Sequence, residues 1–277
     1  MTKSFIVSSC GFSLRASITG KRDVATALLA TPEWGMLIPN LTIALEPSHT
    51  ELADINIECT AKPLFNYDPN SKRIVTDSTH IITVVATFSY LLEQVRQEHK
   101  MFMLHGNLIS NGKNSIALIG GISGIGKTTL SAHMQTAGWK WYSDDKFIVN
   151  ARAECVGVMH FPLADEKTKK AVGSQKLDVY DTRATLTHLI IPIVTDESEL
   201  TVHYYDNDKA SWHIYEELSR DIRLSNGLLD MFGPLPSFDT LTASQYRAKY
   251  SKVFAEKLPM IYLRGNRSAI RGFLQEL

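Results

Sequence analysis

The side chains that could do chemistry gather near the middle of the chain. Gly121, Ile122, Ser123, Gly124, Ile125, Gly126, Lys127 and Thr128 fit the pattern G-x-x-x-x-G-K-[ST] at every fixed position. In such a loop the glycines let successive backbone N–H groups converge on phosphate oxygens. The helix that follows adds the partial positive charge of its N-terminus. Lys127 would reach the β- and γ-phosphates of a nucleotide, Thr128 would hold Mg²⁺ through its hydroxyl, and Thr129 would donate to an α-phosphate from the first helical turn. About fifteen residues further on, Asp144 and Asp145 stand side by side after Ser143. In phosphoryl transfer one carboxylate can hold the metal while another accepts the proton of the attacking hydroxyl. Neighbouring side chains alternate faces on a strand, so both acids serve one site only where the strand has ended and the backbone turns. The competing readings are a glycine-rich structural turn and a solvated acid pair. A lysine and a threonine between a strand and a helix weigh against the first, and the loop upstream weighs against the second.

Those residues need a strand before the loop and a helix after it. The apolar run at 116–119 supplies the strand, 128–136 the helix, Gly138 its stop, and 139–142 a second strand. A β-loop-α-β unit of this kind is expected at the carboxyl edge of a parallel sheet, where ligands bind. Downstream, strands are predicted at 188–194, 201–205 and 260–263, and helices near 211–218 and 243–258. Upstream, residues 1 to about 75 mix β-prone runs at 5–7, 41–45 and 55–59 with Gly and Pro breaks, and a helix over 22–30 is stopped by Pro32. A longer helix is predicted over 79–100, its apolar stretch 81–92 buried. The boundary between a strand-rich accessory part, 1–100, and a second part, 101–277, falls before Met101.

The 277 residues are 44% hydrophobic and 21% charged, ordinary globular usage that excludes a disordered, collagen-like or coiled-coil chain. Lys+Arg and Asp+Glu both number 29, so no global field recruits nucleic acid or an anionic membrane, and any charge preference is local. Cys10, Cys59 and Cys155 are odd in number and lack zinc or disulfide spacing, which suits a reducing cytoplasm. The apolar run that follows Ser4 is too brief for a secretory signal peptide, and 81–92 falls short of the ~20 residues of a membrane-spanning helix. A cytoplasmic chain with no membrane partner is expected. The sequence contains no Asn-Lys-x-Asp guanine-reading motif and no Leu-Ser-Gly-Gly-Gln transporter signature, which disfavours a GTPase or a transporter ATPase.

Taken in order, His105-Gly106, the loop from Gly121 to Thr128, a helix, Gly138 and Ser143-Asp144-Asp145 resemble the catalytic domain of HPr kinase/phosphorylase and the wider group of HPr kinase-related kinases. That group includes kinases of peptide natural-product clusters that modify a serine hydroxyl. The resemblance covers 101–146, and its specificity lies in the ordered combination of motifs. It implies an α/β fold of the HPr kinase/phosphoenolpyruvate carboxykinase-like type, a mixed sheet around a P-loop, with a smaller strand-rich N-terminal part. It implies further that Asp144 is the general base toward the acceptor hydroxyl and that Asp145 helps Thr128 hold Mg²⁺. His105 would lie near the active-site acid, where an imidazole can orient a carboxylate and tune its proton affinity. A satisfied core histidine is the equal alternative for His105, while His133, on the helix after the loop, reads as a packing or surface residue. The family's downstream Arg-Gly signature is not in its setting here. Arg264-Gly265 and Arg271-Gly272 lie near the C-terminus, so phosphorolysis is not carried over. Nothing in the first 100 residues aligns with the family's accessory domain, so neither is recognition of HPr. HPr kinases assemble as oligomers, and the resemblance leaves room for a homo-oligomer.

Two other stretches carry charge. The acidic and basic run at 161–170, with Lys167, Lys169 and Lys170, could lay a lysine on a transferring phosphoryl group but reads better as a solvated loop. Toward the C-terminus, Arg247, Lys249, Lys252, Lys257, Arg264, Arg267 and Arg271 face Glu256 alone, with Tyr246, Tyr250 and Phe254 at helical spacing. The aromatic stripe is expected to be core. The basic side is expected to be a solvated face, which leaves an acidic peptide or nucleic acid as a weaker partner. The expectation is an ATP- and Mg²⁺-dependent kinase acting on an alcohol oxygen, first of all a serine of a protein or peptide. The alternatives are a kinase of a small-molecule or nucleic-acid hydroxyl and an ATP-sensing regulatory protein that transfers nothing.

Overall fold

The computed structural model describes residues 3–46, 53–120, 124–159, 184–223 and 237–277. Gly121, Ile122 and Ser123 of the glycine-rich loop and the charged run at 161–170 lie outside the described residues. The described residues form two mixed β-sheets with α-helices packed on them, in two compact units. One unit comprises Met1–His99 with Arg220–Ala243, the other Lys100–Ser219 with Ser244–Leu277. The sequence reading assigns 220–243 to the second part; in the structure they join the first. The reason is packing: Ile222, Phe238 and Ala243 cluster with Ala86 and Tyr90, and the Phe238 ring stacks 5.6 Å from those of Tyr67 and Tyr90.

The first unit contains β1 (Lys3–Ser9), β2 (Phe12–Gly20), α1 (Arg22–Ala30), α2 (Glu33–Leu37), β3 (Leu41–Glu46), β4 (Ile55–Cys59), β5 (Asn66–Asp68), β6 (Arg73–Thr76) and α3 (Ile81–Glu98). Its strands lie in the order β3-β1-β2-β4-β6-β5, parallel between β2, β4 and β6 and antiparallel elsewhere. Alternate residues, Phe5 and Val7, Ala16 and Ile18, Ile55 and Ile57, turn to one face, where they meet Val24 and Leu28 of α1, Trp34 of α2, and Phe88 and Leu92 of α3. The sequence reading has no strand at β2, whose outward positions carry Arg15 and Ser17. Cross-strand partners settle it: Arg15 Nε donates to Glu46 on β3 at 2.9 Å and Ser17 Oγ to Asn56 on β4 at 2.6 Å. The buried guanidinium of Arg96 donates from Nε to Glu93 at 3.0 Å and from Nη1 to Ser9 at 2.9 Å, so the ion pair within α3 is also tied to β1.

The second unit contains β7 (Met101–Ser110), β8 (Ser115–Ile119), α4 (Lys127–Thr136), β9 (Lys140–Ser143), β10 (Lys146–Asn150), β11 (Cys155–Val158), β12 (His188–Val194), β13 (Thr201–Tyr204), α5 (Asn207–Ser219), α6 (Leu241–Lys257, from Ser244), β14 (Met260–Gly265) and α7 (Arg267–Glu276). The sheet order is β11-β10-β7-β8-β12-β14-β13, with β9 pairing β7 beside β10. Only β8, β12 and β14 are mutually parallel. The sheet is therefore mixed, its parallel part confined to these three strands. Both faces are covered, which is why β8 is buried along its whole length. Ile116 and Leu118 turn to the side of α4 and α7, among Leu130, Met134, Ile270 and Leu274. Ala117 and Ile119 turn to the side of α5 and α6, among Ile214, Leu218 and Phe254. The predicted aromatic stripe is core: Phe102 lies 5.4 Å from Tyr250 and 6.2 Å from Phe254. No described helix is long and apolar enough to cross a membrane.

Candidate functional site

The chemistry-bearing residues meet at one edge of the larger sheet. Strand β8 ends at Ile119, and Gly120 begins the glycine-rich loop. The loop is tied to the next strand, since the Val194 N–H at the end of β12 donates to the Ile125 carbonyl at 3.1 Å. At Gly126 the backbone is left-handed, φ +99°, and a Cβ would overlap the Val194 side chain, so only glycine fits. Helix α4 starts there, with the Leu130 N–H donating to the Gly126 carbonyl at 2.8 Å as its first helical bond. An α-helix leaves the N–H groups ahead of that bond without helical partners, and Gly126 has no side chain to cap them. Lys127 is half-buried and its Nζ donates to the Gly120 carbonyl at 2.8 Å, folded back across the loop. Thr128 is half-buried beside it and Thr129 exposed.

The second strand of the predicted β-loop-α-β unit is not the neighbour of the first. β9 and β8 are each antiparallel to β7, which lies between them, so they run in the same direction with one strand intervening. The crossover through α4 still delivers the end of β9 to the edge at which β8 ends. Asp144 and Asp145 occupy a bend between β9 and β10, so the strand has ended where the two acids begin. Both are half-buried. The bend is pinned to β7: the Gly106 N–H donates to the Asp145 carbonyl at 2.7 Å, and the Ser143 hydroxyl donates to the Lys146 carbonyl at 2.6 Å. Gly106 is itself required, since a Cβ there would overlap the Leu118 carbonyl oxygen of β8.

His105, one residue before, is half-buried with Nε2 3.5 Å from Asp145 Oδ1. The imidazole thus sits beside the acid assigned to the metal, at ion-pair rather than close hydrogen-bond distance. His133 lies away from this edge, on the last turn of α4. Burial, then the nearby Arg267 and Arg271, hold its pKa below the ordinary histidine value.

The basic residues of the C-terminal part do not form one face. Arg247 is fully buried, 5.8 Å over the Tyr215 ring, and Arg264 is bound to Glu197 at 2.7 Å. A residue absent from the sequence reading also belongs to this edge. Asn107, two positions along β7 from His105, is fully buried, and both of its amide atoms lack a hydrogen-bond partner among the described residues. An Asn directly after His105-Gly106 and ahead of the apolar pair Leu108-Ile109 was the available signal. No protein-family model matches the chain, and no curated protein matches it.

Proposed function

We propose that the chain is an ATP- and Mg²⁺-dependent kinase of HPr kinase-like type that passes the γ-phosphoryl group to a hydroxyl, first of all a serine of a protein or peptide. The observation that carries this reading is the convergence, on one sheet edge, of a helix N-terminus without a side-chain cap, Lys127, and a bend holding Asp144 and Asp145. The residues suit both groups. Gly126 packs its backbone against Val194 and offers no side chain to cap the start of α4, which leaves the first amides of the helix to phosphate oxygens. The Thr128 hydroxyl and Asp145 carboxylate are hard oxygen donors, and Mg²⁺ is ordinarily held by one or two such protein groups with phosphate and water completing its shell. Bound Mg²⁺ neutralises charge on the phosphates.

The residues of the chain then divide the work. Amides of the loop and of the first turn of α4 hold the triphosphate tail. Lys127 exchanges the Gly120 carbonyl for a phosphate oxygen and offsets the charge that develops during transfer. The acceptor oxygen attacks the γ-phosphorus, its proton passes to a carboxylate oxygen of Asp144, and the bond to the β-phosphate oxygen breaks to release ADP. His105 orients Asp145 from the side.

The test uses ATP labelled in the γ-phosphate with candidate serine-bearing proteins and peptides. Asp144→Asn is expected to slow transfer about 10²–10⁴-fold while leaving ATP affinity within about twofold, because the amide keeps the shape and cannot accept the proton. Wild-type turnover by this variant, or label that stays on nucleotide in every mixture with the unaltered protein, overturns the reading.

A further inference from the structure

We infer that the first unit, independently of the kinase chemistry, holds a binding cleft of its own for a small zwitterion with an apolar body, either an apolar amino acid or a short peptide of such residues. The cleft has a volume of about 470 Å³, within the range of small-molecule sites. All of its walls belong to the first unit. One wall is the sheet at the end where its parallel strands begin: Ser13 stands at the start of β2, Asp54 just before β4 and Lys72 just before β6. A second is the end of α3, where Leu91, Gln94 and Val95 share a face through helical spacing. The third is the segment 237–240, anchored by the Phe238 ring on Tyr67 and by the Thr240 hydroxyl, which donates to Glu98 at 2.8 Å.

Two opposite charges line this cleft, and the protein leaves them apart. Lys72 ends the turn between β5 and β6, which Asp68 closes by accepting the Asn70 N–H at 3.0 Å and the Ser71 hydroxyl at 2.6 Å. The Lys72 backbone is left-handed, φ +51°, a conformation that glycine or asparagine adopts more readily, so lysine stands here against local preference. Its carbonyl accepts the Asn56 N–H at 2.9 Å, which fixes the root of the side chain. The ammonium has no partner among the described residues. Asp54 is tied to β2, where one carboxylate oxygen accepts the Arg15 N–H at 2.8 Å, and no cation among the described residues pairs with it. Asp239, the other acid of the lining, is matched by Arg223 at 3.7 Å.

A ligand that brings a carboxylate to Lys72 and an ammonium to Asp54 answers both charges at once. Leu14, Leu91, Val95 and Phe238 supply aliphatic and aromatic surface for its body. Gln94, whose amide has no partner among the described residues, offers a donor and an acceptor to a peptide group. Two extended residues span about 7 Å and three about 10 Å, lengths that suit a cleft of this volume.

The experiment is calorimetric titration of the full chain, without nucleotide, with leucine, its dipeptide and its tripeptide, and with each of these acetylated at the amine or amidated at the carboxylate. At least one of the three parents is expected to bind with a dissociation constant below about 1 mM. Blocking either charge is expected to weaken it about 10–100-fold. Lys72→Met keeps the stem without the charge, and Asp54→Asn keeps an acceptor for the Arg15 N–H. Each variant is expected to lose about 10–100-fold in affinity for the parent while melting within about 2 °C of wild type. The losses are expected to be matched in kind: amidation no longer matters in Lys72→Met, and acetylation no longer matters in Asp54→Asn. No binding by any parent, equal affinity of the blocked forms for the unaltered protein, or wild-type affinity in either variant overturns the inference.

Discussion

Two helices leave the larger sheet after parallel strands, α4 after β8 and α7 after β14, and they begin in opposite ways. α7 starts directly behind its strand, and the Asn266 side chain accepts the Ala269 N–H at 2.9 Å. α4 starts after the loop 120–126, at a left-handed glycine with no side chain to offer. Each helix presents the same partial positive charge at its N-terminus. In α7 the protein satisfies it from within. In α4 the first turn carries Lys127, stands at the edge shared with Asp144 and Asp145, and has no side-chain cap. The contrast teaches that one strand-to-helix junction is closed by its own side chain while glycine leaves the other uncapped, and the proposed function makes the second the receptive one.

Three substitutions press on that contrast. Lys127→Ala removes the cation from the receptive end, and is expected to lower the transfer rate about 10²–10³-fold and to weaken ATP binding, read by calorimetry and γ-label transfer. Unchanged nucleotide affinity would mean that α4 is no more receptive than α7. Gly126→Ala forces a Cβ into the left-handed region and against Val194. It is expected to cost about 1–3 kcal/mol of stability in chemical denaturation and to abolish ATP binding together with it. Asn266→Ala is the smallest and the sharpest: a loss of about 1 kcal/mol from the missing cap, with ATP affinity and transfer unaltered. If this variant lost nucleotide affinity as well, the two junctions would not be functionally separate.

Much of this arrangement was legible because its causes are local. The strand at 188–194, the helix at 22–30 and the helix that follows the glycine-rich loop are set by apolar periodicity and by Pro and Gly punctuation within each segment. The spacing of Lys127, Thr128, Asp144 and Asp145 likewise marks the candidate site within the chain alone. What stayed hidden depends on partners far away in sequence. Strand β2 is held by Glu46 and Asn56, β7 inserts between β8 and β9, and 220–243 joins the first unit through Phe238 stacking on Tyr67 and Tyr90. None of these leaves a periodic trace in its own segment.

Asn107 makes the division plain. Its residue type is visible in the chain, yet its meaning is not, because a register is a relation between two strands and neither carries it alone. The sequence by itself determined which groups could bind a phosphate and which could take a proton, since those properties belong to side chains and to their immediate spacing. Only the tertiary structure decided that the two sets share an edge, that His105 lies beside Asp145, and that the Asn107 amide is buried beside Gly106 on the strand between β8 and β9. The physical reason is that hydrogen-bonded pairing fixes distances between residues that covalent geometry leaves free.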